Sequence, residues 1–203
     1  MERKLNNMFS NDLIKQIEFI SELEKLKLIY RQNSVLGQER QENSAEHSWH
    51  IALMAIILKD SIKFNDVDIF KVVKMLLIHD IIEIDAGDNF YLDDSEKEQI
   101  LKKEIKGAKR IFGLLPQKQS NEFTELWHEF EEVETNEAKF AKAMDALQPV
   151  INHYLTGKEN TNLHDLTKEM IIARKKFIKD TSEDLWEIAE DFIEKSVEKG
   201  LYK

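Results

Sequence analysis

The sequence predicts an all-α protein, folded as a single irregular helical bundle. Two observations carry this. Apolar residues recur at three- and four-residue steps over most of the chain, the spacing of one helix face. Only 2 prolines and 6 glycines interrupt the 203 residues, so long helices can run unbroken. A chain of this length suits one domain with its own core, and no repeat, low-complexity stretch or linker divides it. One domain over 1–203 is expected, with a motif-bearing core at about 12–155 and C-terminal helices at about 160–200.

The elements follow in order. Ile14, Ile17, Ile20, Leu23 and Leu26, with Phe19, predict an amphipathic helix from about 11 to 30. The polar stretch Gln32 to Asn43, with Gly37, reads as a loop. Ser44 is the expected N-cap of a helix carrying His47, His50, Leu53, Met54, Ile57 and Leu58. Asp66 or Asp68 opens a third helix, Ile69 to Ile78, whose apolar residues cover most of its circumference and predict a central, buried position. It runs into His79-Asp80-Ile81-Ile82-Glu83, then a turn at Asp85-Ala86-Gly87-Asp88 and an acidic loop through Asp94. Ser95 is placed to cap a charged helix to about Phe112, ended by Gly113 and Pro116. Helices at about 119–132, 136–155, 164–179 and 182–198 complete the chain, with a loop at 157–162 and Gly200 as the final stop. Pro149 lies four residues after Asp145 and has no N–H to bond its carbonyl, which predicts a kink that could re-aim Asp145.

Composition narrows the function classes. A net charge of −10 argues against a general nucleic-acid surface, which needs clustered Lys and Arg. It is compatible with a small phosphorylated substrate. Without cysteine there can be no disulfide framework, and a metal must be held by His and carboxylates. Such ligands suit Mn, Co, Fe, Zn, Ni or Mg. No run of about 18 apolar residues predicts a membrane span, and the N-terminal residues lack a signal-peptide core. A cytoplasmic location is therefore the expectation.

The chemistry centres on His79-Asp80, which closes the run Val72 to Ile78. Burying two such side chains unpaired costs on the order of several kcal/mol, and a metal ion would supply the missing partner. The two side chains leave a helix about 100° apart and can still converge on an ion between them. His47, in the first turn of its helix, and Asp145, on a late helix, could complete the site, since ligands from several helices can meet in a bundle core. Taken singly, each has a plainer reading: a hydrogen-bonded core histidine, a solvated helix end, a salt-bridged carboxylate. Glu83 lies one turn beyond His79-Asp80, and Asp88 follows a glycine in a turn, so both could act on a substrate or on a water beside the metal. His50 is read as a packing or supporting residue. His128, His153 and His164 lie in more polar settings and carry no role.

His47, His79-Asp80 and Asp145 together resemble the H…HD…D signature of the HD-domain superfamily of metal-dependent phosphohydrolases. The blocks Glu42-Asn43-Ser44-Ala45-Glu46-His47-Ser48-Trp49-His50 and Leu77-Ile78-His79-Asp80-Ile81-Ile82-Glu83-Ile84-Asp85-Ala86-Gly87-Asp88 resemble its 5′-deoxynucleotidase branch, over roughly 12–155. The resemblance implies a helical fold of the HD-domain type. It implies one divalent metal on His47, His79, Asp80 and Asp145, and catalytic carboxylates Glu83 and Asp88. The implied substrates are (deoxy)nucleoside 5′-monophosphates, cleaved to nucleoside and phosphate. Arg31 is the nearest match to a phosphate-binding arginine, with Arg40 as a second candidate. A homodimer is also implied. Two features depart from the branch: Gln32 stands where those members carry Trp, and Asp85–Asp93 differs from their Gly-Asp-Ile form. The alternatives are phosphodiester or nucleoside-triphosphate hydrolysis, or a non-catalytic metal-stabilised module that binds a nucleotide.

Overall fold

The computed structural model describes residues 9–88, 97–162 and 164–203; the expected cap at Ser95 and the acidic residues Asp93 and Asp94 lie outside them. Helices dominate. Helix α1, Asn11–Glu22, starts on Ser10, whose hydroxyl accepts from the Leu13 N–H. It is shorter than expected, because Leu23–Leu28 tightens into a 3₁₀ helix and Ile29 turns extended. The apolar residues between Ile14 and Leu26 recur every three positions, a period that suits a 3₁₀ turn as well as an α-helix.

The expected loop is instead a small antiparallel hairpin. Strands β1, Tyr30–Ser34, and β2, Gln41–Asn43, pair Tyr30 with Asn43 and Ser34 with Gln41, with an irregularity between. Gly37, at φ 75°, sits in the connection. The hairpin matters because it fixes Arg31 beside the start of the next helix, where the Ser44 N–H bonds the Ile29 carbonyl at 2.9 Å.

Helix α2, Ser44–Leu58, is capped by Asn43 rather than by Ser44. Asn43 Oδ1 accepts from the Glu46 N–H at 3.0 Å, and Glu46 accepts in return from the Asn43 N–H at 3.2 Å. That leaves the Ser44 hydroxyl free for the site. Helix α3, Ile69–Ile78, starts on Asp68, not Asp66, which has the left-handed φ of 61°. Val72, Met75, Leu76 and Ile78 are buried, but Phe70 and Leu77 are 67% and 46% exposed, so α3 is one-sided rather than enclosed. Beyond it His79–Ile82 tightens into a 3₁₀ turn, followed by the one-turn helix α4, Glu83–Ala86.

Helix α5, Lys97–Phe112, crosses this turn closely. A Cβ on Gly107 would meet the Ile82 carbonyl oxygen at 3.0 Å, so the small residue permits the approach. Arg110 ties the two by pairing with Asp85 and, at 2.8 Å, with Glu22 of α1. Helix α6, Gln117–Glu132, ends on Val133 at φ 55°. Helix α7, Asn136–Thr156, is capped by Thr135 and keeps its helical assignment through Pro149. Nine of its residues are buried, and it packs against α2, α3, α6 and β1, which makes it the central helix. Helix α8, Lys168–Lys175, starts four residues later than expected, on Thr167, and passes into a 3₁₀ turn, Lys176–Asp180. Helix α9, Glu183–Glu198, starts on Ser182.

The main core joins α2, α3, α5, α6, α7 and α9. Ile51, Met75, Leu76, Met144 and Leu147 are among its fully covered side chains, each contributing about 1.5–3 kcal/mol by burial. A smaller cluster of Val150, Leu166, Ile171, Ile193 and Tyr202 fastens the C-terminal segment. Among the described residues no helix is long and apolar enough to cross a membrane.

Candidate metal centre

Three secondary-structure elements bring their polar side chains to one point beneath the hairpin. His47 comes from the first turn of α2, His79 and Asp80 from the 3₁₀ turn after α3, and Asp145 from the middle of α7. One ligand-type atom each from His47, His79 and Asp80 lie within 4.8 Å of one another. Asp145 Oδ1 stands 3.1 Å from His47 Nε2 and 3.7 Å from His79 Nε2, and Asp80 Oδ1 stands 2.9 Å from His79 Nε2. Two donors bound to one ion at about 2.1 Å and roughly 90–120° apart would lie about 3.0–3.6 Å from each other, so these separations are of the right size.

The imidazoles are oriented from behind. His79 Nδ1 donates to the Leu76 carbonyl at 2.9 Å, which leaves Nε2 as the lone-pair nitrogen whenever the ring is neutral. That Nε2 is buried and makes no hydrogen bond of acceptable geometry, the mark of an atom awaiting another partner. His47 Nδ1 lies 3.1 Å from Gln148 Oε1, while Gln148 Nε2 donates to Glu42 Oε1 at 3.0 Å. A carboxylate at the far end fixes the amide's direction, so His47 Nδ1 must donate and its Nε2 also faces the centre. The sequence reading missed Gln148 and Glu42. The signal was present: Gln148 is one turn beyond Asp145 on the same face, and Glu42 lies inside the His47 block.

Charge at the centre is heavily coupled. Burial works against a charged His79, but Asp80 and Asp145 outweigh it and raise its pKa to about 10. Burial likewise opposes the Asp80 carboxylate, yet His79 and Arg31 bring it down to about 2, and Asp145 lies well below the usual range through His47 and His79. His47 is pushed down by burial, with Arg31 acting in the same sense. The site thus draws positive charge to the point between its two imidazoles. Two nitrogens and two carboxylates, with no thiolate, form a set that fits a borderline or hard divalent ion.

Around this centre stand the other expected residues. Arg31 Nη1 donates to Asp80 Oδ2 at 2.9 Å and lies 4.0 Å from Asp88 Oδ1. Burial disfavours its charge, but Asp80, Asp145, Asp88 and Glu83 hold it protonated. Glu83 is buried and accepts from Ser44 Oγ at 2.6 Å. Burial and the Asp80 charge push its pKa up to about 9. Burial pushes Asp88 up too. Arg40 does not join them: at the surface it makes a two-pronged pair with Glu46, at 2.6 and 2.8 Å. Gln32 is exposed.

Two lysines outside the sequence expectation flank the centre. Lys142, one turn before Asp145, pairs with Glu131 at 3.2 Å and lies 4.0 Å above the Phe130 ring, itself 4.8 Å from the His79 ring. Lys175 ends α8; burial depresses its ammonium, Asp145 partly offsets this, and the nearby charges of Arg31 and Lys142 add to the depression.

The fold and the site define a class: a helical protein whose core holds a His, His-Asp, Asp metal-type centre lined by two further carboxyls and an arginine. Comparison with known proteins agrees. The HD domain family matches residues 23–186, and the chain belongs to that family. It is 31% identical over 136 residues to the human protein named 5′-deoxynucleotidase HDDC2, an alignment covering 66% of this chain and 65% of that one, so the match spans just under two thirds of that relative's length. With the Dictyostelium discoideum protein of the same name it is 30% identical over 157 residues, covering 75% of this chain and 83% of the other. Among solved structures, a predicted metal-dependent phosphohydrolase from Magnetospirillum magnetotacticum MS-1 superposes with a TM-score of 0.85 at 39% identity, over 95% of this chain and 99% of that one.

Proposed function

We propose that this protein is a metal-dependent phosphohydrolase that cleaves phosphomonoesters, with (deoxy)nucleoside 5′-monophosphates as its substrates and nucleoside and phosphate as its products. The observation that carries the reading is the convergence of His47, His79, Asp80 and Asp145 on one point, with Arg31, Glu83 and Asp88 around it. The names of the curated relatives support the nucleotide assignment.

In this reading the four ligands hold one divalent ion, drawn from Mn, Co, Fe, Zn, Ni or Mg. Such an ion supplies Lewis acidity toward a water and a phosphoryl oxygen. The chain's own groups do the rest. Arg31 offers its guanidinium to the remaining phosphoryl oxygens, a charge-assisted contact. Burial raises both Glu83 and Asp88, and the charges of Asp80 and Asp88 add to the rise at Glu83, so this pair of carboxyls can hold a proton beside the centre. Of these two carboxyls, the ionised one takes a proton from the attacking water as the new P–O bond forms, and the protonated one gives its proton to the leaving 5′-oxygen as the ester bond breaks. Ser44 fixes the Glu83 carboxyl from behind.

The test is phosphate release from a nucleotide panel by metal-stripped protein given Mn, Co or Mg in turn. Release from 5′-monophosphates is expected, with none from Asp80→Ala, which should lose bound metal and keep its helical content. Full turnover by metal-free Asp80→Ala would overturn the mechanism. Tight nucleotide binding without release would favour a binding module instead.

A further inference from the structure

Lys175 closes α8 on its inward face. Ile171, four residues before it, and Ile178, three after, are buried at 7% and 0% exposure, Ile171 in one cluster with Val150 of α7, and Lys175 lies on the same side of its helix and is itself only partly exposed. The 3₁₀ turn that follows packs on α7, the helix that carries Asp145. The other cations of the cleft are matched: Arg31 to Asp80 and Lys142 to Glu131. Lys175 has no hydrogen bond or ion pair among the described residues, although it feels the charges of Asp145, Arg31 and Lys142. An ammonium held inward, beside two other cations and without a carboxylate of its own, is unfavourable in the free protein.

We propose that Lys175 is a phosphate-binding residue of this site, donating to an oxygen of the substrate's phosphoryl group alongside Arg31. The proposal rests on the phosphohydrolase reading. A phosphomonoester dianion brings more negative charge than the one arginine can meet, and Lys175 is the cation with no prior commitment. Lys142 remains engaged with Glu131 and shapes the field without being released.

The probe is inorganic phosphate, the product, titrated calorimetrically into metal-loaded protein. Loss of one charge-assisted hydrogen bond predicts that Lys175→Met weakens phosphate about tenfold or more. Bound metal should be unchanged, and the melting temperature unchanged or raised, since a costly buried charge is gone. Lys175→Arg should recover most of the affinity, and Lys158→Met, at the exposed 157–162 loop, should have no effect. With a phosphomonoester substrate, Lys175→Met should raise KM far more than it lowers kcat. Wild-type phosphate affinity in Lys175→Met would overturn the proposal, even with turnover intact. If the wild-type protein released phosphate from no ester, the hydrolase reading would fall, and the phosphate titration would still decide the role of Lys175.

Discussion

Glu83 and His79 show how a single residue's environment reaches the stability of the whole. Both have folded pKa values raised above their ordinary ones, to about 9 and about 10. A group raised in this way favours the folded state fully below its unfolded pKa, and that contribution is lost as pH rises through the folded value. For metal-stripped protein the loss begins near pH 4.5 for Glu83 and near 6.5 for His79 and is complete above about 10. The melting temperature of the stripped protein should therefore fall on going from pH 6.5 to 10, and Glu83→Gln should flatten the slope. A slope unchanged by Glu83→Gln, followed by thermal denaturation, would show that the carboxyl is not held protonated. At this scale the sequence was informative about donors. His47, His79, Asp80 and Asp145 are few and chemically specific, and they stand in a readable order. It was silent on Gln148, Lys142 and Lys175, because a glutamine or lysine on a helix face looks solvated until the opposing helix is placed.

At the scale of elements, the helix starts were legible where a short polar side chain precedes an apolar run, as Thr135 and Ser182 do. The hairpin was not, because its strands are short and polar and their pairing is settled by the Ser44–Ile29 contact and the packing of β1 on α7. Val133 marks a local cost. It ends α6 in the left-handed region, where a β-branched side chain is disfavoured by about 1–2 kcal/mol. Part of that is recovered by a residue without a Cβ, so Val133→Gly should stabilise the fold by up to about 1 kcal/mol. Urea denaturation would measure it, and a destabilised variant would mean that the valine's packing outweighs the strain.

For the whole molecule, the all-α class followed from periodicity, while the assembly state must come from surfaces. The outer face of α2 carries Trp49, Leu53, Ile56 and Ile57, between 41% and 67% exposed. Grouped apolar exposure of this kind is typical of an interface, and we propose it as the contact of the expected homodimer. Light scattering on the purified protein should give twice the chain mass, and Ile57→Glu should give the monomer. A wild-type monomer at micromolar concentration would rule the dimer out.

The amide of Gln148 has one further implication, for how this sequence can change over time. It accepts at one end from His47 and donates at the other to Glu42, 106 positions away. Glutamate there would face a second acid, and lysine would offer His47 no acceptor. The two ends of the link are therefore not free to drift alone: a relative that has replaced Gln148 should have altered position 42 in the same lineage, leaving a paired historical trace between a β-strand and the central helix.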